Sequence, residues 1–252
     1  MSPKLRWLVL FGLVALTAAG CTSSGSSSDI SVQIGDGQAS SGNGQFALSV
    51  ELLIAITVLS LVPAILMLAT SFTRIVVVLS LLRSAIGIPN LPPNQVILGL
   101  SLFLTLFVMA PTIQQANTDA IQPYLNNTID QNTAISKGVE PFKDFMLKQT
   151  REEDLEVFIE LSKEPRPATS DDVSLEVLLP AFVVSELKTA FTMGFLLYIP
   201  FLIIDLVVAS ALMSMGMVMV SPTQIALPFK LLLFVMVDGW VLVVQSLVKS
   251  FN

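Results

Sequence analysis

The sequence predicts an all-α membrane protein built of helical hairpins, and two observations carry that prediction. Of its 252 residues, 53% are hydrophobic and only 13% are charged, whereas a soluble domain carries roughly 25% charged residues. Four long apolar segments are each long enough to cross a bilayer as a helix, which takes about 20 residues. Because the hydrocarbon core offers no water to the backbone, each spanning segment is expected to be helical.

The N-terminus has the pattern of a secretory signal. Lys4 and Arg6 precede an apolar core that is followed by small residues, so residues 1–21 are predicted to be a signal peptide. Cys21 ends a partial lipoprotein box, in which Ala stands where Leu is usual, and ordinary cleavage is favoured over lipidation. Residues 22–45 are rich in Ser and Gly and are predicted to be a flexible tether.

The four apolar segments form two predicted pairs with a polar region between them. Their approximate bounds are Phe46–Ala69, Leu91–Ala110, Leu175–Met213 and Ile225–Val248. We expect a kink at Pro63 in the first segment and interruptions at Pro180 and Pro200 in the third. The chain then divides into a first helix pair with its basic loop at 46–111, an acidic periplasmic region at 112–174 and a second helical hairpin at 175–252.

The distribution of charge predicts how the chain is oriented in a membrane. The loop after the first segment contains Arg74 and Arg83 and no acidic residue, whereas residues 112–176 contain thirteen acidic and six basic residues. The positive-inside rule places the arginine-containing loop in the cytoplasm and the acidic region outside. A cleaved signal peptide gives the same orientation, because it leaves the mature N-terminus outside.

Within the acidic region, apolar residues recur at helical spacing. The two groups are Phe142, Phe145, Met146 and Leu155, Phe158, Ile159. Pro141 and Pro165 are expected to bound the stretch that contains them. We therefore expect one or two amphipathic helices with a solvated face, as a folded extramembrane region rather than an acidic binding site.

Five charged residues lie in or beside the apolar segments, where a charge is costly and marks a buried partner or a function. They are Glu186, Lys188, Asp205, Lys230 and Asp238. Glu186 and Lys188 are two residues apart, so they point to opposite sides of a helix and need separate partners. Asp205 and Lys230 are equidistant from the middle of the loop between the last two segments. In an antiparallel hairpin they are expected to lie level and to pair.

The residue types present argue against several kinds of chemistry. The chain has no histidine and one cysteine, so no metal site or other cofactor is predicted. Its net charge of −6 argues against nucleic acid as a partner. Asp205 and Asp238 raise the alternative of an intramembrane aspartyl protease, but the residues around them lack its motifs. A self-contained proton-coupled transporter is the stronger alternative, because intramembrane acids also relay protons.

The loop between the last two segments holds four of the ten methionines, at every second position. They are Met213, Met215, Met217 and Met219. Spaced by two, their side chains cannot form one stripe on a helix, but they share one face of an extended loop. Gly216 and Pro222 favour such a break. Because methionine is unbranched and adaptable, these side chains either fill a core at a helix end or, repeated around a symmetric ring, form a deformable seal.

Several long motifs carry a resemblance to a known family. They read "TSFTRIVVVLSLLRSAIGIPNLPPNQVILGLSLFLTLFVMAP", "MLKQTREEDL", "VSELKTAF", "IPFLIIDLVVASALM" and "LPFKLLLFVMVDGW". Together they make about residues 50–251 resemble the FliP family of flagellar type III export-gate proteins, which has injectisome counterparts. The resemblance implies a subunit that is not an enzyme, located in the bacterial inner membrane at the flagellar basal body, with a periplasmic portion.

The resemblance also implies an assembly. Family members form a pentamer that associates with FliQ and FliR, with FlhA and FlhB as neighbouring components. Unfolded flagellar proteins are exported through the ring that this assembly forms. In the assembled gate the helices rise out of the bilayer plane, so a four-span topology describes the inserted chain rather than the final complex.

Individual residues match family motifs as well. Family members carry a methionine-rich loop that seals the closed gate, in which a glycine precedes three methionines. Here Gly216 precedes Met217, Val218 and Met219, so Met217 and Met219 match the seal most directly.

The resemblance further covers the charged residues. Arg74 in "TSFTR", and Glu186 with Lys188 in "VSELKTAF", match family motifs. We expect these three residues to make inter-helix or inter-subunit polar contacts rather than to act in catalysis. The same expectation covers Asp205, Lys230 and Asp238.

Overall fold

Helices make up most of the described part of the chain. The structure, a computed structural model, describes residues 56–57, 60, 67–88, 91–163, 166–167, 169, 172–217 and 219–251. These ranges contain no β-strand, which agrees with the predicted all-α fold. The predicted signal peptide, the tether, Cys21 and most of the first apolar segment lie outside the described residues.

Eight α-helices and one π-helical turn lie wholly within the described ranges, after further helical residues at 56–57, 60 and 67–68. They are α1 (Phe72–Ile86), α2 (Asn94–Ala116), the π-helical turn (Asn117–Ile121), α3 (Gln122–Leu125), α4 (Gln131–Gln149), α5 (Glu152–Ser162), α6 (Leu175–Ser214), α7 (Pro222–Met236) and α8 (Gly239–Lys249).

Two of these elements are long and apolar enough to cross a bilayer. One runs from α2 through the π-helical turn into α3 and covers Asn94–Leu125, 32 residues, and the other is α6, with 40 residues. The pair α7–α8 is a third candidate if it is counted as one bent span. The described residues therefore supply two or three candidate spans, and the four long apolar helices predicted from the sequence are not all present in this part of the chain.

Three prolines that were expected to interrupt or bound helices lie inside them instead. α6 continues through Pro180 and Pro200, and α4 continues through Pro141. A proline removes one N–H donor and bends a helix locally, but the hydrogen bonds on either side of it persist in a long helix. Pro63 and Pro165 lie outside the described residues.

The fourth apolar segment is two helices rather than the single helix expected from its continuous apolar pattern. α7 and α8 meet at a bend of 63°. Asp238, between them, has left-handed backbone angles of φ 52° and ψ 47°, which do not continue a right-handed helix. At Gly239 an added Cβ would lie 2.2 Å from the ring of Phe234, so glycine is needed for this close approach.

Two apolar clusters hold the helices together. The larger cluster joins α1 to α6, α7 and α8, and its buried members include Ile75, Val78, Leu79, Leu82, Ala190, Phe201, Phe234, Val243 and Leu247. The second joins α4 and α5 to the first turns of α6 through residues that include Met146, Val177, Leu178 and Phe182. The acidic region is thus a folded unit of amphipathic helices that packs on α6.

The contact between α1 and α6 is close at Gly194. An added Cβ there would lie 2.3 Å from Leu81 Cδ1 and 3.1 Å from Leu81 Cβ. Gly194→Val is therefore expected to force the two helices apart and to lower the free energy of unfolding by about 1–3 kcal/mol, the usual cost of overpacking. Unfolding of the purified full chain in detergent measures this loss.

Gly99 on α2 provides the matched control. No atom lies within 4 Å of a Cβ added at Gly99, so Gly99→Val changes helix propensity in the same way without a clash in the chain. Equal losses of stability from the two substitutions would show that the approach of Leu81 to Gly194 is unimportant.

Candidate functional site

A buried ion pair joins α1 to α6. Arg74 Nε donates to Glu186 Oε2 at 2.8 Å, and Arg74 Nη2 donates to Glu186 Oε1, so the two planar groups meet in a bidentate arrangement. The side chains are only 2% and 0% exposed. Bidentate pairs of this kind fix orientation as well as distance, and the pair therefore sets how α1 lies against α6.

The remaining donors of Arg74 are also used. Nη1 donates to the carbonyl oxygen of Ser250 at 2.8 Å and to its hydroxyl at 3.0 Å. Nη2 donates to Gln149 Oε1 at 3.1 Å, and the ring of Phe251 lies 3.9 Å from the guanidinium carbon. All five N–H groups of the guanidinium thus have an acceptor, which compensates for removing the charge from water.

A second ion pair joins α6 to α5. Lys188 Nζ donates to Asp154 Oδ1, and Asp154 is buried. Nearby, the backbone N–H of Arg151 donates to Ser185 Oγ at 2.9 Å. Glu186 and Lys188 therefore reach different elements, α1 and α5, as their spacing of two residues predicts. Both of their partners come from distant parts of the chain.

A third ion pair joins α6 to α7. Lys230 Nζ lies 2.7 Å from Asp205 Oδ2, which is the pairing expected from their equal distances from the loop. Lys230 is buried and also donates to the carbonyl oxygen of Ala85 at 3.2 Å, in the last turn of α1. A cation at the C-terminus of a helix interacts favourably with its dipole, so this lysine connects α1, α6 and α7.

Asp238 differs from the other charged residues of the apolar segments. It is exposed at the bend between α7 and α8, and its side chain neither caps α8 nor forms an ion pair with a described residue. The two aspartates considered for an intramembrane protease thus have different settings, since Asp205 is paired with Lys230. Within the described ranges, no group of three or more His, Cys, Asp or Glu residues is suited to hold a metal ion.

The methionines lie at the end of α6 and in the turn that follows it. α6 continues to Ser214. Met213 is therefore in the last helical turn, whereas an extended loop was expected there. The helix ends because Gly216 adopts φ 75°, and its N–H donates to Met213 O at 3.0 Å while that of Met217 donates to Leu212 O at 3.0 Å. This pair of bonds is a Schellman motif.

All four methionine side chains are exposed in the single chain. Their exposed fractions are 67% for Met213, 72% for Met215, 43% for Met217 and 100% for Met219. Core filling at the helix end, the first interpretation of this cluster, therefore does not describe the isolated chain. The methionines instead form an apolar tip that the described residues leave largely uncovered.

Comparison with known proteins gives one consistent result. The FliP family model matches residues 55–247. The chain belongs to the FliP family. Proteins named flagellar biosynthetic protein FliP are similar to it: that of Aquifex aeolicus (strain VF5) is 56% identical over 213 residues, which cover 84% of this chain and 89% of that protein. That of Bacillus subtilis (strain 168) is 53% identical over 203 residues, 81% of this chain and 92% of that protein.

The family match includes most of the site of this FliP-family chain. The three ion pairs and the methionine tip lie within the matched range of 55–247, and the resemblance inferred from the motifs is confirmed. Ser250 and Phe251, which complete the surroundings of Arg74, lie beyond that range. Sequence reasoning did not identify these two residues, Gln149 or Asp154, since no local pattern announces a partner so distant along the chain.

Lys230→Met is expected to destabilise the FliP-family chain, because it leaves the Asp205 carboxylate without its partner. Asp205 Oδ1 is already buried without a hydrogen bond. Removing one member of a buried pair costs about 3–5 kcal/mol, and partial exposure of Asp205 reduces this to roughly 2–4 kcal/mol. The free energy of unfolding in detergent and the amount of intact chain in membranes measure the effect.

Arg166→Met is the control for this substitution. Arg166 and its partner Glu156 are 71% and 57% exposed, and an exposed pair contributes only about 0–1 kcal/mol. If Lys230→Met were as well tolerated as Arg166→Met, the Asp205–Lys230 contact would have no structural importance.

Proposed function

We propose that the chain is a non-enzymatic subunit of the flagellar type III protein export gate in the bacterial inner membrane. The observation that carries this proposal is an exposed methionine tip on the α6–α7 hairpin of a FliP-family chain. Relatives at 53–56% identity are named flagellar biosynthetic proteins, which supports the flagellar branch. No catalytic role is assigned to the six charged residues predicted to make polar contacts, because five of them form ion pairs within the chain. Asp238 is the sixth.

Assembly into a ring is the second part of the proposal. The long apolar helices leave large side chains uncovered, such as Phe103 and Phe107 on α2 and Phe195 on α6. Exposed apolar surface of this extent marks contact with lipid or with other protein. Most of the lining of an open groove between α6 and α7, about 440 Å³ in volume, is aliphatic. These surfaces suit neighbouring helices of further copies and of FliQ and FliR.

The copy number and neighbours follow from the resemblance to the family. We propose a pentamer of this chain, with FliQ and FliR completing the gate and with FlhA and FlhB beside it. The acidic region then faces the periplasm, in line with the positive-inside rule. Charged residues that already have partners within the chain, such as Arg74 and Glu186, act as inter-helix contacts, whereas exposed Asp238 is available to another subunit.

The methionine tip supplies the proposed mechanism of sealing. When several copies bring their tips to one axis, the flexible thioethers pack against each other and exclude water and ions. Because methionine has three rotatable side-chain bonds, such a seal deforms around an exported, unfolded chain and closes behind it. Gly216 ends α6 at a defined position, so the tip begins at the same height in every copy.

A double substitution tests the proposed seal. Met217→Ala together with Met219→Ala shortens two exposed side chains at the tip and is expected to leave assembly intact. Cells carrying it should leak ions through the gate, while the complex still forms and is recovered in normal amounts. Ion leak, motility and recovery of the complex from membranes are the three measurements.

The control variant, Met67→Ala with Met236→Ala, shortens two methionines that are exposed away from the tip. Cells carrying it should not leak ions. A tight, exporting complex with alanines at Met217 and Met219 would contradict the seal. Proton-coupled transport by the chain purified and reconstituted without partners would favour the alternative of a self-contained transporter, since a gate subunit requires its partners.

A further inference from the structure

The two residues that follow α8, Ser250 and Phe251, contact the buried pair of Arg74 and Glu186. Ser250 accepts two hydrogen bonds from Arg74 Nη1, one on its carbonyl oxygen and one on its hydroxyl, at 2.8 and 3.0 Å. Because these acceptors complete the set around Arg74, the segment Ser250–Phe251 closes the one side of the guanidinium that α4 and α6 leave open.

Phe251 contacts the same region in three ways. Its ring lies 3.9 Å from the guanidinium carbon of Arg74, a cation–π distance. The ring also stacks with Phe145 of α4, at 6.2 Å between centroids. Its carbonyl oxygen accepts a hydrogen bond from Gln149 Nε2 at 3.1 Å. One residue thus contacts both α1 and the C-terminal part of α4.

The opposite end of α8 has the properties of a hinge. Asp238 is held in left-handed backbone angles, and the chain bends there by 63°. Asp adopts this conformation at lower cost than most residues, but it is still a strained position between two helices. α8 is therefore attached to α7 through a bend, to the larger apolar cluster through Val243 and Leu247, and to α1 and α4 through Ser250 and Phe251.

Solvent lies close to the second attachment. An open groove of about 350 Å³ between α2 and α4 is lined by Val248, Phe251 and Gln149 together with the exposed Asp144 and Lys148. If Ser250 and Phe251 move away, water from this groove reaches Arg74 Nη1. Water then replaces the two Ser250 oxygens as acceptors. Detachment of the segment thus exposes Arg74 to water but leaves its bonds to Glu186 in place.

We infer that Ser250–Phe251 is a strap that holds α8 against α1 and α4, and that its release lets α8 pivot at Asp238. The strap combines hydrogen bonds from a guanidinium and an amide with two aromatic contacts, and it holds the end of α8 beyond the buried Val243 and Leu247. Its release changes the direction of α8 without breaking the Arg74–Glu186 pair. This inference concerns the chain by itself and does not rest on the proposed export function.

The distance between two spin labels, one on α4 and one on α8, tests the strap when it is measured by electron spin resonance. Spin labels are attached at Lys137→Cys on α4 and Lys249→Cys at the far end of α8, both exposed positions, in a Cys21→Ser background of the full chain. Labelled chain is diluted with unlabelled chain to suppress distances between copies. The parent is expected to give one narrow distance distribution, because the strap holds α8 in one direction.

Phe251→Ala is expected to broaden or shift this distribution, and Phe251→Tyr is the matched control that retains the ring. A helix of 11 residues is about 16 Å long, so a pivot of about 20° moves its end by roughly 5 Å. Gln149→Glu keeps an oxygen that accepts from Arg74 Nη2 but removes the N–H that holds the Phe251 carbonyl, and it carries the same expectation if Phe251→Ala does not fold. A parent-like distribution in the folded variants would overturn the strap.

Discussion

The guanidinium of Arg74 and the carboxylate of Glu186 are buried together, and neither is tolerable there alone. Removing an ion from water costs several kcal/mol unless its partner and its hydrogen bonds are complete. α1, α6 and the end of α4 must therefore be in place before the pair forms, and the residues after α8 supply the remaining acceptors of Arg74. One polar contact thus couples elements that are up to 176 residues apart in the sequence.

α6 consequently has two unlike halves. Its first half carries Glu186 and Lys188, contacts α1 and α5, and contains most of the buried residues of the helix. Beyond Asp205 its large side chains are mostly exposed, up to the methionine tip. A polar-linked base and an apolar, exposed tip suit the proposed gate subunit, in which the tip would yield to a passing chain and the base would contact the rest of the assembly.

Local relations along the chain were predictable from the sequence, and distant ones were not. The Asp205–Lys230 pair follows from a hairpin with one short loop, and the helices of the acidic region follow from apolar spacing. Gln149 and Ser250 gave no such signal, since their partner Arg74 lies in a remote helix. The bend at Asp238 was missed because the long apolar pattern on both sides outweighed the Asp238-Gly239 dipeptide, which favours a turn. Prolines at 180 and 200 suggested breaks that a long helix accommodates.

A double-mutant cycle with Arg74→Met, Glu186→Leu and both substitutions together tests the dependence on this pair most directly. The free energy of unfolding of the full chain, measured in mixed micelles, is the quantity compared. Each single substitution leaves a buried charge unpaired and is expected to cost about 3–5 kcal/mol. The double variant should lose clearly less than the sum, with a coupling energy of about 2 kcal/mol or more. Additive losses, within about 0.5 kcal/mol, would contradict the claim that the pair organises the fold.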